Sequence, residues 1–310
     1  MGRLPAALEG RYALRHPLCD GAFGTVYEAF DIVERRPVAV KLIEPDLRGE
    51  EISADQAERE HALMSMVSHR AVAESYAAGR YGEMGFVVMQ LVQGEDLCHY
   101  INRHVADGIN PGPAELLPIV QQLCEGLQAV HDAGLVHRDV KPANVMVTPS
   151  GEVRLVDFGA AQTIAEPTAL WGTPLYIAPE ITLGRQLPPR RRTLSDIYSL
   201  GVTVFELLSG EEPFELDSRL EIAEQLLRQL HQRPRWLGLL RPDLPAAVSQ
   251  LLHQAMSPEP YERPASPMAF YQALASAMPP ARRKQRRLVI DTLPMRRALP
   301  YLPTVPSIAA

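Results

Sequence analysis

Two stretches concentrate side chains suited to handling charge on oxygen. In VHRDVKPANVMV, residues 136–147, Asp139 and Asn144 stand five residues apart with Lys141 between them. In VRLVDFGAA, residues 153–161, Asp157 falls at an expected strand end and Gly159 permits a sharp turn. Two carboxylates, a carboxamide and a lysine form a set that suits a hard cation and phosphate oxygens. A third stretch, PLCDGAFGTVYEAF at residues 17–30, reads as a glycine loop for clamping phosphates. Gly21 and Gly24 hold its second and third glycine positions, where a side chain is expected to collide with a bound phosphate. Cys19 replaces the first glycine, at the entry of the turn, where a small Cβ is tolerable if φ stays negative. The expected consequence is an altered grip on phosphate with the chemistry retained.

The surrounding elements must bring these stretches together. RYALRHPLC, TVYEAFDI and RPVAVKLI are short β-rich runs separated by turn signals, which suggests a meander. ADQAEREHALMSMV, residues 54–67, has helical character with Glu60, Leu63, Met64 and Val67 on one face. FVVMQLV is a buried-looking strand ending at the Gly94 break. Beyond it, AELLPIVQQLCEGLQAVHDAG sets Leu116, Val120, Leu123, Leu127 and Val130 on one stripe and stops at Gly134. TLSDIYSLGVTVFELLSG is apolar nearly all round, so a buried central helix closed by Gly210 is expected. Weaker helices follow at 220–231, 245–256 and 267–277. A strand-rich lobe followed by a larger helical one predicts an α+β protein with a cleft between the two.

Bulk properties exclude several alternatives. The chain has 310 residues, 46% hydrophobic and 22% charged, which is ordinary globular usage. Cys19, Cys98 and Cys124 show no zinc-like spacing and read as reduced cytosolic thiols. The start MGRLPAALEG lacks an apolar signal core, and Ala6 breaks the myristoylation pattern. IYSLGVTVFELL is too short to span a bilayer. Residues 281–310 carry seven Lys or Arg against one Asp, leaving the body with 24 basic and 36 acidic side chains. A polyanion-binding body is therefore not expected. RRKQRR at 282–287 lacks the interleaved aromatics of a nucleic-acid surface, so no nucleic acid is expected either.

HRDxKPxN followed by DFG resembles the protein kinase superfamily, and the Lys141-Pro142 pair resembles its Ser/Thr branch. Further landmarks stand in family order: VAVK ending at Lys41, Glu60 nine residues before His69, GTPLYIAPE at 172–180, SDIYSLG at 195–201 and ERP at 262–264. The likeness covers roughly residues 11–277 and is close to bacterial members of the eukaryotic-like Ser/Thr kinases. It implies an N-lobe at 11–93 and a C-lobe at 94–277, preceded by a short extension at 1–10 and followed by a basic, proline-containing tail at 278–310. That tail is expected to lack its own core.

The resemblance also implies roles. Lys41 would hold the α and β phosphates of ATP and be positioned by Glu60. Asp157 and Asn144 would hold Mg2+, or Mn2+ in its place. Asp139 would accept the proton of a substrate hydroxyl, Lys141 would offset charge on the γ-phosphoryl group, and Thr173 would help select Ser or Thr acceptors. The loop running Leu18, Cys19, Asp20, Gly21, Ala22, Phe23, Gly24, Thr25 and Val26 would cover the nucleotide. Leu18, Val26 and Ala39 would roof the adenine and Met146 would floor it. Met89 would be the gatekeeper, with the backbone of Gln90 and Val92 meeting the base. The partners implied are protein substrates and a regulatory partner supplying the input; relatives often continue into a membrane helix, whereas here a soluble, cytoplasmic enzyme is expected.

Each assignment has a plainer rival. Lys41 competes with a surface lysine on an edge strand, and Glu60 with Glu58. His137 reads as structural rather than as a proton shuttle. Asp196 is either a helix-start residue or a buried acceptor beneath the catalytic loop, and Glu180 and Arg263 are either surface charges or a buried pair. Arg138 invites activation-loop phosphorylation, with Thr163 and Thr168 as the candidate sites in a segment of 24 residues from Asp157 to Glu180. Constitutive activity is the alternative. Arg190, Arg191 and Arg192 are either a solvated loop or an acidic dock. Cys19 is either a small replacement for glycine or a redox switch whose thiol Lys41 and the loop amides would acidify. A pseudokinase scaffold is the second functional reading, and a small-molecule kinase lacking the GTPxYxAPE segment is the third.

Overall fold

The computed structural model describes residues 7–21, 24–43, 52–217 and 219–278. Ala22, Phe23 and the tail from Pro279, including RRKQRR, lie outside the described residues. The N-lobe is a sheet of β1 (Tyr12–Gly21), β2 (Gly24–Asp31) and β3 (Arg36–Ile43), followed after α1 (Ile52–Ser65) by β4 (Ser75–Tyr81) and β5 (Met84–Gln90). Its strands run antiparallel in the order β1-β2-β3-β5-β4. Pro17 interrupts the β1 register, a position tolerated because β1 is an edge strand.

Alternation along β3 decides which side chains face the cleft. Val38, Val40 and Leu42 join Phe86 and Val88 of β5, with Leu8 and Tyr12, on one face of the sheet. Ala39 and Ile43 join Val87 and Met89 on the opposite face, together with Ala57 of α1. Lys41 shares the parity of Ala39 and Ile43 and so points toward α1. The expected helical stripe is also present: Glu60, Leu63, Met64 and Val67 are all buried, whereas Glu58 is exposed. The helix ends at Ser65, so Val67 belongs to the turn beyond it.

The C-lobe begins with β6 (Glu95–Asp96), α2 (Leu97–Ala106), α3 (Pro113–Asp132) and β7 (Leu135–Val136). β8 (Val145–Val147), β9 (Val153–Leu155) and β10 (Gln162–Thr163) then precede α4 (Pro179–Thr182) and α5 (Leu194–Ser209). The lobe closes with α6 (Ile222–His231), α7 (Leu237–Leu240), α8 (Ala246–Ala255) and α9 (Pro267–Ala277). Two small sheets, β6-β8-β9 and β10-β7, complete the lobe. Every residue of α5 from Leu194 to Leu208 is buried, and Gly210 closes the helix in the left-handed region at φ 72°. The stripe of α3 is buried as expected.

Two elements longer than five residues are not expected from the sequence. α2 is an amphipathic helix capped by Asp96, whose side chain accepts from His99 N–H, with Leu97, Tyr100, Ile101 and His104 inward. β4, SYAAGRY, is poor in β-branched residues and gains strand geometry by pairing with β5. The lobes are joined behind the cleft, where Ala73 N–H donates to Leu155 O at 3.0 Å and Leu155 N–H to Ala71 O at 2.8 Å. The two-lobed α+β architecture matches the expectation from sequence.

Candidate active site

Two charge clusters face each other across the cleft. In the upper one Lys41 Nζ lies 3.0 Å from both carboxylate oxygens of Glu60 and 2.6 Å from Asp157 Oδ1. Lys41 and Glu60 are almost fully buried. Burial would depress the ammonium, but Asp157 and Glu60 outweigh it and hold Lys41 firmly charged. Burial pushes the Glu60 carboxyl up to about 6 despite Lys41, with Asp157 adding to the rise. Asp157 moves the other way: burial opposes ionisation, yet Lys41, Lys141 and the Gly159 N–H keep it well below the usual carboxylate range.

Local backbone chemistry builds this cluster. Asp157 adopts φ 64°, two residues beyond the end of β9, and its Oδ1 accepts from Gly159 N–H at 3.1 Å. From sequence Asp157 is expected on the strand end and Gly159 in a conformational role. Gly159 instead answers a demand for space: a Cβ there would lie 2.9 Å from Lys41 Nζ and 3.3 Å from Glu60 Oε2. Gly24 answers both demands, since φ is 133° and an added Cβ would meet Leu42 O at 1.7 Å. The nearest constraint on Gly24 is therefore the β2–β3 packing rather than a phosphate.

The lower cluster sits on the loop between β7 and β8. Lys141 Nζ lies 2.7 Å from Asp139 Oδ2 and donates to Thr173 Oγ1 at 2.7 Å. Thr173 in turn donates to Asp139 Oδ1 at 3.1 Å, and Asn144 Nδ2 donates to Asp139 O at 2.8 Å and Oδ2 at 2.9 Å. The amide nitrogen of Asn144 is thus committed to Asp139, which leaves its carboxamide oxygen as the available donor atom.

Asp196 supports this loop from below. It accepts from His137 N–H at 2.9 Å and Arg138 N–H at 2.8 Å, and Oδ2 lies 2.8 Å from His131 Nε2. Burial opposes its ionisation, but His131 and these amides keep it below its ordinary value. The amide bonds hold Arg138 at φ 69°, a conformation costing about 1–3 kcal/mol for a non-glycine residue. His137 is fully buried with its ring 4.9 Å from that of Phe158, and burial lowers its pKa against the opposing pull of Asp196, Asp139 and Asp157. The C-lobe pair is also formed: Arg263 donates to both oxygens of Glu180 at 2.7 Å.

The residues expected around an adenine divide between the lobes. Val26, Ala39 and Met89 share one cluster under the N-lobe sheet. Met146 lies on β8 opposite Asp96, Val92 packs against the C-lobe core, and Leu18 is exposed on β1. Thr25 Oγ1 donates to Asp20 Oδ1 at 2.8 Å across the β1–β2 hairpin. Gln90 N–H is already spent on Glu74 O at 2.8 Å, so the backbone of Gln90 has only its carbonyl to offer a ligand. Cys19 pairs with Val26 outside the left-handed region. The Cys19 side chain is exposed; desolvation by the protein around it, with the carboxylates of Asp157, Asp96 and Asp20, raises its thiol, and Lys41 opposes this only in part. The acidified thiol of the redox reading is therefore corrected: local charge runs the other way. Asp96 was missed by the sequence reading although it stands close enough to Cys19 to act on it. Its N-cap position before an apolar stripe was the available signal.

Among the described residues no group of three or more His, Cys, Asp or Glu side chains forms a metal site. The donors that remain, an Asp157 carboxylate and the Asn144 oxygen, fit an ion that takes its other ligands from phosphate and water. Within this region Lys41 and Lys141 face Glu60, Asp157 and Asp139, so carboxylates are in excess and a cation is favoured. A cavity of about 900 Å³ elsewhere in the C-lobe, lined by Phe214, Gln229, Arg233, His253 and Tyr261 among others, shares none of these residues.

The three arginines read as either a solvated loop or an acidic dock point in different directions. Arg192 turns inward to the carbonyls of Leu187, Ile164 and Glu166, Arg191 lies over the Tyr261 ring, and Arg190 is exposed. Among the described residues no helix is long and apolar enough to cross a membrane.

The protein kinase domain family matches residues 12–275. The chain is 35% identical over 292 residues to the serine/threonine-protein kinase Pkn2 of Myxococcus xanthus, covering 87% of this chain and 33% of Pkn2. It is 34% identical over 284 residues to the serine/threonine-protein kinase PknA of Mycobacterium tuberculosis, covering 88% of this chain and 63% of PknA. The chain thus spans a third of one relative and less than two thirds of the other. The crystal structure of the M. tuberculosis PknI kinase domain aligns with a TM-score of 0.67 at 25% identity, over 89% of this chain and all of that one. Two lobes, the facing charge clusters and a family match from residue 12 to residue 275 together assign the chain to the protein kinase family.

Proposed function

We propose that the protein is an ATP- and Mg2+-dependent serine/threonine protein kinase whose catalytic domain occupies residues 11–277. One observation carries the reading: Lys41, Glu60 and Asp157 form one hydrogen-bonded cluster and Asp139, Lys141, Asn144 and Thr173 another, with Lys141 near enough to act electrostatically on Asp157. Phosphoryl transfer asks chiefly for positioning and charge stabilisation, which such clusters supply. Lys41, steadied by Glu60, holds the non-transferred phosphates. Asp157 and Asn144 would hold the metal, which when bound would neutralise phosphate charge. The acceptor hydroxyl oxygen bonds to the γ-phosphorus, the bond from that phosphorus to the β–γ bridging oxygen breaks, and the hydroxyl proton passes to Asp139. ADP departs. Lys141 offsets charge on the transferred group, and Thr173 links Asp139 and Lys141 beside the acceptor.

The loop from Leu18 to Val26 covers the nucleotide in this reading, and Ala39, Met89, Val92 and Met146 border the base. Free thiols and the use of ATP support a cytoplasmic site of action. The test is transfer of labelled phosphate from Mg-ATP to the protein itself and to a lysate, with Asp139→Ala beside it. Asp139→Ala should lower transfer by about 10²- to 10⁴-fold. Equal labelling by that variant would overturn the assignment.

A further inference from the structure

The segment from Asp157 to Glu180 is tied down by charges the chain already carries. The guanidinium of Arg138 is engaged by Gln162 Oε1 at 2.6 Å and by the carbonyl of Ala169. On α1 Arg59, the neighbour of Glu60, pairs with Glu166 Oε2. The other oxygen of Glu166 accepts from the Thr163 hydroxyl at 2.8 Å and from Thr163 N–H at 3.1 Å. Arg192, just ahead of α5, donates to the carbonyls of Ile164 and Glu166 and so fixes the same turn from the C-lobe. Glu166 pairs with Arg59 and its backbone carbonyl accepts from Arg192, so arginines from α1 and from the C-lobe hold the same residue.

We propose that Glu166 is a positioning residue: a built-in carboxylate that ties α1 to the activation segment through Arg59 and so holds Glu60 on Lys41 without covalent modification. The proposal deepens the kinase reading and rests on it. An added phosphate in such a segment works by pairing with arginines and ordering the chain. Here the segment's own carboxylate meets Arg59, and Arg138 is already occupied within the segment. Glu166 also determines what charge Thr163 tolerates. The Thr163 hydroxyl points at Glu166 Oε1, so a negative charge added at Thr163 stands against a carboxylate and competes with it for Arg59. Activity then falls, where a segment awaiting a phosphate would gain.

The side chains of Arg59 and Glu166 are 53% and 36% exposed, so the pair is screened and its effect modest. In the full chain, Glu166→Gln should lower kcat/KM for transfer to a Ser/Thr peptide by roughly two- to fivefold, a size set by exposed ion pairs. Arg59→Gln should do the same, and the double variant should be no worse than either single one. The loss should shrink in high salt, with the melting temperature unchanged. Thr163→Glu should lower the rate, while Thr163→Ala with Thr168→Ala stays within about twofold of the parent, because no phosphate is needed there. Additive losses in the double variant, a parental rate for Glu166→Gln, a gain for Thr163→Glu or a collapse of the double Ala variant would each overturn the proposal. Amide exchange along α1 gives a readout that does not depend on turnover. Glu166→Gln should speed it, and unchanged exchange refutes the latch, whereas a parent without transfer refutes the kinase reading alone.

Discussion

Glu180 and Arg263 meet inside the C-lobe, whereas Lys41 and Glu60 meet where the two lobes face each other. Both pairs are buried, yet they are finished differently. Arg263 spends two nitrogens on Glu180 at 2.7 Å and further hydrogen bonds on Ser257 O and Leu194 O, so one cation, one anion and their donors close upon themselves. Lys41 stands between two carboxylates, and one of them, Glu60, is pushed up to about 6 by its burial. A buried pair that serves the fold is neutral and saturated. The Lys41 pair is left short of positive charge, and in the kinase reading a bound cation would make up the difference.

The widest separation between the two pairs should appear when one partner is removed. Glu180→Ala leaves Arg263 charged and buried, and denaturant unfolding should register a loss of about 3–5 kcal/mol. Lys41→Met should lose much less stability, because Glu60 can take up a proton, while transfer falls by at least about 10²-fold. Equal destabilisation of the two variants would break the comparison.

A pH titration sharpens it next. Glu60 has a raised pKa in the folded chain, about 6 against 4.5 for the free carboxyl. Between those values the folded state holds a proton that the unfolded state has released. Its contribution to stability is therefore full at low pH and is lost as pH rises through about 6. Activity has the opposite sign, since only ionised Glu60 holds Lys41. The ATP-dependent kcat/KM should rise through that range, and Glu60→Gln should be lower and flat there. Superimposable profiles for the two proteins between pH 5 and 7 would rule the assignment out. The smallest effect belongs to Cys19→Gly, which should change KM for ATP by no more than about threefold, because φ at Cys19 is already ordinary. Peroxide should leave the parent rate unchanged, given the raised thiol.

Much of the candidate site was legible because its residues lie in short runs whose spacing is local. Asp139, Lys141 and Asn144 share one loop, and alternation along β3 assigns Lys41 its face. The stripe on α1 separates Glu60 from Glu58 by burial alone. Other features were illegible for equally physical reasons. The demand for space at Gly159 comes from Lys41 and Glu60, remote in sequence. The direction of the Cys19 thiol depends on desolvation by neighbouring atoms and on Asp157 and Asp96, which only folding brings near. Arg192 reads as one of three like charges, and its inward turn is decided by the carbonyls that surround it.

Residue order alone determined the two-lobed class, the buried central helix and which side chains carry charge into the cleft, because periodicity and local spacing are properties of neighbours along the chain. Tertiary structure decided how those charges are balanced: Glu60 and Asp157 on one lysine, Asp196 beneath Arg138, and Glu166 on Arg59. Electrostatic energies depend on distance and burial, and both are set by contacts between residues far apart in sequence.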